Sequence, residues 1–208
     1  MNRIARLAAA AVLLLASATG RADTAPALTP ADTPLPKVAL ADDPVDFDAL
    51  RDTWGRRMDF HVLCESSLPA KALGAAQAAK DFAAAYELSV KWLATCPVDE
   101  RVHLLAFSMA MELHDQAHAD LHKRWYRGLV GSVLKTGDGK TPQTAFKTIS
   151  VGEEYAVLQA LGLQRGSQAL LRDPLVDELT AKGPDGAEHK LYFNPELHFV
   201  RLRHDLAL

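Results

Sequence analysis

Cysteine and aromatic residues are scarce in this chain of 208 residues, with two cysteines and 7% Phe, Trp and Tyr. Two cysteines exclude a multiply bridged scaffold and a four-cysteine zinc site. They allow one bridge, Cys64 to Cys96, or two free thiols; the spacing is not Cys-x-x-Cys, so a redox-active pair is not indicated. In an oxidising compartment the bridge is expected, and it would contribute roughly 3–4 kcal/mol by limiting the unfolded chain. Excess positive charge is also missing, the formal net charge being -3. An acidic chain gains nothing from releasing counterions off a phosphate backbone, so no nucleic-acid partner is expected. Long apolar runs are missing as well. Crossing about 30 Å of hydrocarbon takes about 20 apolar residues, and no segment reaches that, so no membrane span is expected after signal cleavage.

The N-terminus carries Arg3 and Arg6 ahead of an apolar run from Leu7 to Ala18. This reads as a signal peptide over residues 1–22, cleaved after Ala18 or Ala22, and hence as a periplasmic or secreted protein. Residues 1–22 contain Arg3, Arg6 and Arg21 and no acid, so their removal moves the net charge from -3 to -6. Residues 23–45 hold five prolines among Ala, Thr and Asp, a composition expected to form an extended tether or disordered arm. Residues 46–208 remain for a single helical domain with a C-terminal β-hairpin.

Apolar spacing of three and four predicts successive helices. The stripes are Phe47, Leu50 and Trp54 after a capping Asp46; Phe82, Tyr86, Val90 and Leu93; Val102, Leu105, Met109 and Leu113; and Leu121, Trp125, Leu129 and Val133. An alanine-rich helix is predicted over Ala70–Ala79, and Gly137 reads as a left-handed helix stop. Short joins imply antiparallel hairpins. Leu73-Gly74, Ala84 or Ala85, and Pro97 give the middle pair a partial tetratricopeptide-like layout over about one repeat. Beyond this, Tyr155, Leu158 and Leu161 predict another helix, and Ser167–Arg172 a short one. Leu175–Ala181 and Glu188–Asn194 predict strands flanking the turn Gly183-Pro-Asp-Gly186, with Phe146–Val151 as a third strand. The last dozen residues carry no clear period. The expected class is mainly α (α+β), with a small C-terminal antiparallel β element.

The segment Leu134–Tyr155 concentrates turn-forming and acidic groups. Gly137-Asp-Gly-Lys-Thr141 lacks the Gly five positions before Gly139 and follows a helix, so it is not a phosphate loop. Glu153 and Glu154 suit a helix start, where acids favour the dipole. Side chains of successive helical residues point about 100° apart, so at most one Glu shares a pocket with Tyr155. Paired with Asp138, that Glu would suit acid–base work or a cation. The candidate site residues are therefore Asp138, Glu153, Glu154 and Tyr155. His114, His118 and His122, spaced by four, offer at most one metal-binding pair, and no Glu follows them in the zincin manner. No serine sits in a Gly-x-Ser-x-Gly elbow.

Gly137-Asp-Gly139, Thr144-Ala-Phe146, Ile149-Ser-Val151, Glu153-Glu-Tyr155 and Leu191-Tyr-Phe-Asn194, in that order, resemble a bacterial exported domain-of-unknown-function family. Asp177 falls where that pattern has its Asp before the last strand, and Thr136 stands where the family commonly has Ser. The resemblance covers roughly residues 47–195. It implies an exported helical domain with a small β element and supplies no activity; no cofactor is expected. The expected function is a protein-binding or structural module whose partner is a protein or an envelope component. The alternative is an enzyme or metal-binding protein with an acidic site at the GDG/EEY segment.

Overall fold

The computed structural model describes residues 26–40, 44–66 and 69–206. The expected signal peptide lies outside them. Five helices come first: α1 (Phe47–Gly55), α2 (Ala70–Ala78), α3 (Phe82–Thr95), α4 (Glu100–Glu112) and α5 (Gln116–Leu134), with a π-helical turn at Val62–Ser66. Their starts share one cause. Asp46, Asp81, Asp99 and Asp115 each accept a hydrogen bond from the backbone N–H three residues on, satisfying a donor the helix leaves open. α3 stops at Cys96, where Pro97 prevents its continuation. α2, α3, α4 and α5 pack pairwise in chain order, and joins this short make them hairpins.

The bundle core gathers Trp54, Leu93, Val102, Ala106, Trp125 and Leu129. Phe47 of α1 meets Trp125 edge-on at 5.4 Å and lies against Gly128, where any Cβ would strike its ring. Cys64 and Cys96 form a disulfide with an S–S distance of 2.08 Å, tying the π-helical turn to the end of α3.

The second half adds β1 (Phe146–Lys147), α6 (Val151–Ala160), β2 (Gln164–Arg172), β3 (Leu175–Lys182), β4 (Glu188–Asn194) and α7 (Glu196–Asp205). The strand order is β1-β4-β3-β2. β3 and β4 pair antiparallel around the Gly183–Gly186 turn, with Leu179 opposite Leu191. A second core of Val130, Val133, Phe146, Val157, Leu179 and Phe193 joins the sheet to α5 and α6. The molecule is mainly α with a small four-stranded sheet.

Several expectations need correction. Ser167–Arg172 belongs to strand β2, not a helix: its backbone pairs with β3 from Gln168 to Arg172, and tertiary pairing overrides weak local propensity. The third strand shrinks to Phe146–Lys147 and runs parallel to β4, so the sheet is not purely antiparallel. Ser150, expected inside that strand, instead caps α6. Gly137 is not in the left-handed region; Gly139 is, at φ +65. Gly137 is needed for another reason, since a Cβ there would lie 2.3 Å from the Thr144 carbonyl oxygen. The unassigned tail forms α7.

Residues 26–40 run against the domain. Thr29 N donates to Arg56 O at 2.8 Å and Met58 N donates to Thr29 O at 2.9 Å. Val38, Leu40 and Val45 pack on the bundle core. At these points the proline-rich arm is docked rather than disordered, because its few aliphatic residues find apolar partners.

Candidate functional site

The turn that begins the Leu134–Tyr155 segment bonds to itself. Asp138 is exposed and accepts from Thr144 Oγ1 at 2.5 Å and Lys140 N at 3.0 Å. The Thr144 hydroxyl, first, and then the Lys140 amide hold its carboxyl below the usual range. Asp138 N and Gly139 N both donate to Thr144 O, and Thr141 N donates to Thr144 Oγ1 at 3.3 Å. These N–H groups are used, so the turn offers no anion-binding nest. Thr141 and Pro142 start a short 3-10 turn, Pro142–Thr144, through a capping box.

Glu153 and Glu154 lie one residue apart in α6 and are both buried. Ser150 accepts from Glu153 N at 3.3 Å, fixing the helix start. The Glu153 carboxylate turns toward the bundle, where Arg51 of α1 grips it with two bonds: Nε donates to Oε1 at 2.6 Å and Nη2 to Oε2 at 2.7 Å. Arg51 also donates to Ser132 Oγ at 3.0 Å and Lys147 O at 3.1 Å. Ile149 N donates to Glu153 Oε2 at 2.8 Å. One ion pair thus ties α1, α5, β1 and α6 together.

Glu154 turns toward the sheet. Gln168 Nε2 of β2 donates to its Oε2 at 3.3 Å, and no ordinary donor reaches its buried Oε1. Its neighbour is the buried Asp177 of β3, and two carboxyl groups bond only when one carries a proton. Burial, then the charge and bond of Asp177, push the Glu154 carboxyl up to about 9, so it is a neutral acid at pH 7. Tyr155 OH donates to Gln168 Oε1 at 3.1 Å, and Arg165 lies over its ring at 4.7 Å. Gln168 therefore bridges Glu154 and Tyr155, whereas Asp138 and Glu153 go elsewhere. The four candidates do not converge.

Nor do the three histidines share a helix. His114 sits at φ +56 in the turn before α5. His118 bonds its own N-cap, Asp115, at 2.6 Å. His122 is buried in a relay: Tyr86 OH lies 3.3 Å from its Nε2, and its Nδ1 lies 3.1 Å from Nδ1 of His103. His103 Nε2 lies 3.0 Å from Pro97 O. The carbonyl can only accept, so His103 Nε2 donates, His122 Nδ1 donates to His103, and Tyr86 donates to His122. Burial holds His103 down to about 3 and His122 to about 4, keeping both neutral. Among the described residues no group of three His, Cys, Asp or Glu is placed to hold a metal ion.

Two cavities among the described residues lie near the Leu134–Tyr155 segment. One of about 450 Å³ lies between α1, the end of α5 and the β1–β4 edge. Two of its charged pairs are engaged with each other: Arg56 bonds Asp52 at 2.7 Å and Lys135 bonds Asp48 at 3.3 Å. The other, about 360 Å³, opens between the first turns of α4 and α6 and α7, lined by Glu100, Arg101, Tyr155 and His198 among others. Sequence reasoning missed Glu100 because an acid one residue after an N-cap reads as a first-turn dipole partner. It is 3% exposed. Burial, then the charges of Asp99 and Glu153, raise its carboxyl well above the ordinary range. Arg51 was missed as well; a basic residue in a surface-type helix carries no sequence mark of burial.

Residues 67–199 match the family model of a domain of unknown function, DUF4919. No curated protein and no solved structure matches the chain.

Proposed function

The match spans more than half the chain, so the protein belongs to the DUF4919 family of domains of unknown function, and from that premise we propose that it is an exported binding or structural module. Its partner would be a protein or an envelope component in the periplasm or outside the cell. The order of the GDG, AF, ISV, EEY and YFN motifs is proposed as that family's mark.

The observation that carries this reading is how the acids of the GDG/EEY segment are employed. Glu153 holds Arg51, Glu154 faces Asp177, and Asp138 closes a surface turn. Groups engaged in joining a bundle to a sheet are not poised at a reacting atom, which counts against the alternative of an enzyme or metal protein at this segment. Two further features support export. The Cys64–Cys96 disulfide suits an oxidising compartment, and Arg3, Arg6 and the Leu7–Ala18 run read as a signal peptide.

Fractionation of cells expressing the full chain, followed by intact-mass measurement, tests the export part. The expected species starts after Ala18 or Ala22, is found outside the cytosol, and is lighter by two hydrogens for the disulfide. A full-length, reduced cytosolic chain would contradict it. Native mass spectrometry of the same material tests the binding part: a retained companion, kept equally by Asp138→Ala, is expected. A companion or turnover abolished by Asp138→Ala with folding intact would favour the alternative.

A further inference from the structure

We propose that the cavity between the first turns of α4 and α6 and α7 binds a small organic amine, with the Glu100 carboxylate as counter-ion to its ammonium group. This rests on the binding-module reading and names a ligand class for it.

Glu100 is the anchor. Its side chain is 3% exposed yet borders a cavity of about 360 Å³, within the size range of small-molecule sites. Among the described residues no other side chain donates a hydrogen bond to its carboxyl. One oxygen lies against Gly152, where a Cβ would stand 3.2 Å from Glu100 Oε1 and from Arg101 Nε. A glycine at this point of α6 leaves the carboxyl room beside the open space.

Every other charge around it has a partner. Arg51 of α1 is matched to Glu153 of α6. Arg101 of α4 turns to Asp99 at 3.4 Å, and Asp99 also accepts from Trp92 Nε1 and Val102 N. Glu65 of the π-helical turn pairs with His61 at 2.9 Å. Arg201 of α7 donates to the carbonyls of Gly55 and Ile149 and lies over Phe60 at 4.3 Å. Burial, then Arg201, lowers the His198 imidazole of α7, and Tyr126 of α5 carries a phenol raised by burial and by Glu100. Glu153 and Asp99 are thus matched by Arg51 and Arg101, Glu65 is engaged by His61, and Arg201 is spent on carbonyls and a ring, so among the described residues Glu100 is the acid of this set left without a donor side chain. One ammonium group would supply that donor, and Phe60, Val98 and Val151 line the cavity for its apolar part. A metal ion fits less well, because the oxygens of Asp99 and Glu65 are already engaged.

The proton balance follows. Burial, then the charges of Asp99 and Glu153, favour the protonated form of Glu100 in the empty cavity. An alkylammonium, whose own pKa of about 10.4 resembles that of lysine, enters charged. The Glu100 O–H bond breaks, the proton leaves to solvent, and the carboxylate pairs with N–H of the ammonium.

The test uses the mature protein with n-butylammonium chloride, with 1-butanol as its uncharged isostere and calcium chloride as the metal control. Calorimetry at pH 7 in two buffers of different ionisation enthalpy should show butylammonium binding with about one proton released. Butanol and calcium should give no comparable response. Glu100→Gln, checked for folding by circular dichroism, should weaken binding more than about tenfold, the scale of losing one partner of a buried charge pair. Absence of binding, binding without proton release, an equal response to butanol, a response to calcium alone, or undiminished binding by a folded Glu100→Gln would each overturn the proposal. If Glu100→Gln does not fold, the wild-type proton count decides. Export and processing of the chain do not enter this measurement, so its failure leaves that part of the functional reading standing.

Discussion

The two sides of α6 handle the same chemical group in opposite ways. On the bundle side Glu153 is gripped by the fork of Arg51. On the sheet side, among the described residues, no cation bonds Glu154; Gln168 offers an amide, and Asp177 offers another acid. Burying a carboxylate demands a compensating cation or a retained proton, and adjacent residues adopt one solution each. The side chains diverge by about 100°, so they secure two different layers. Two acids side by side in a helix are here a double joint.

Breaking the bundle side should cost most. Glu153→Ala strands Arg51 in the core, and removing one partner of a buried pair typically costs about 3–5 kcal/mol. Urea denaturation should record that loss, and Arg51→Met combined with Glu153→Leu should recover much of it.

The sheet side should show its effect as a pH slope. Glu154 titrates near 9 in the folded chain against an ordinary 4.5, so the folded state holds the extra proton between those values. Stability from this group is complete below pH 4.5 and is lost as pH rises toward 9. Glu154→Gln, which keeps a neutral side chain, should remove that slope while changing stability little at pH 5. Asp177→Asn should flatten it in part, since burial remains as the leading cause. On the acid side the sign reverses. His103 and His122 have depressed pKa values of about 3 and 4, so their neutral burial contributes stability above pH 6.5 that is lost as pH falls toward 4. Melting curves between pH 4 and 9 should show both limbs, and only the alkaline one should respond to Glu154→Gln. Asp138→Ala should have the smallest effect on melting, because this acid closes an exposed turn away from both joints.

Much of the helical half was legible because each Asp-capped start precedes an apolar stripe of helical period. The β3–β4 hairpin was legible from Gly183-Pro-Asp-Gly186 between strand-forming runs. β2 was not: Gln164–Arg172 is exposed along nearly its whole length, so it has no alternating pattern to read. α7 was not either, since its one buried residue is Arg201, an anchor that hydropathy scores as surface. The acids Glu153 and Glu154 were noticed for their place at a helix start, but their roles depend on Arg51 and Asp177, far away in sequence. Glu100 passed as an ordinary first-turn acid because nothing local tells a buried carboxyl from a solvated one.

The most direct test of the double joint is the ionisation of Glu154 itself. Carboxyl carbon NMR on glutamate-labelled protein, with the resonance assigned by its absence in Glu154→Gln, follows that group through a pH titration. A midpoint near 9, leaving the acid neutral at pH 7, is the predicted result. A midpoint near the ordinary 4.5 would mean a charged Glu154 facing the sheet, and would contradict the account.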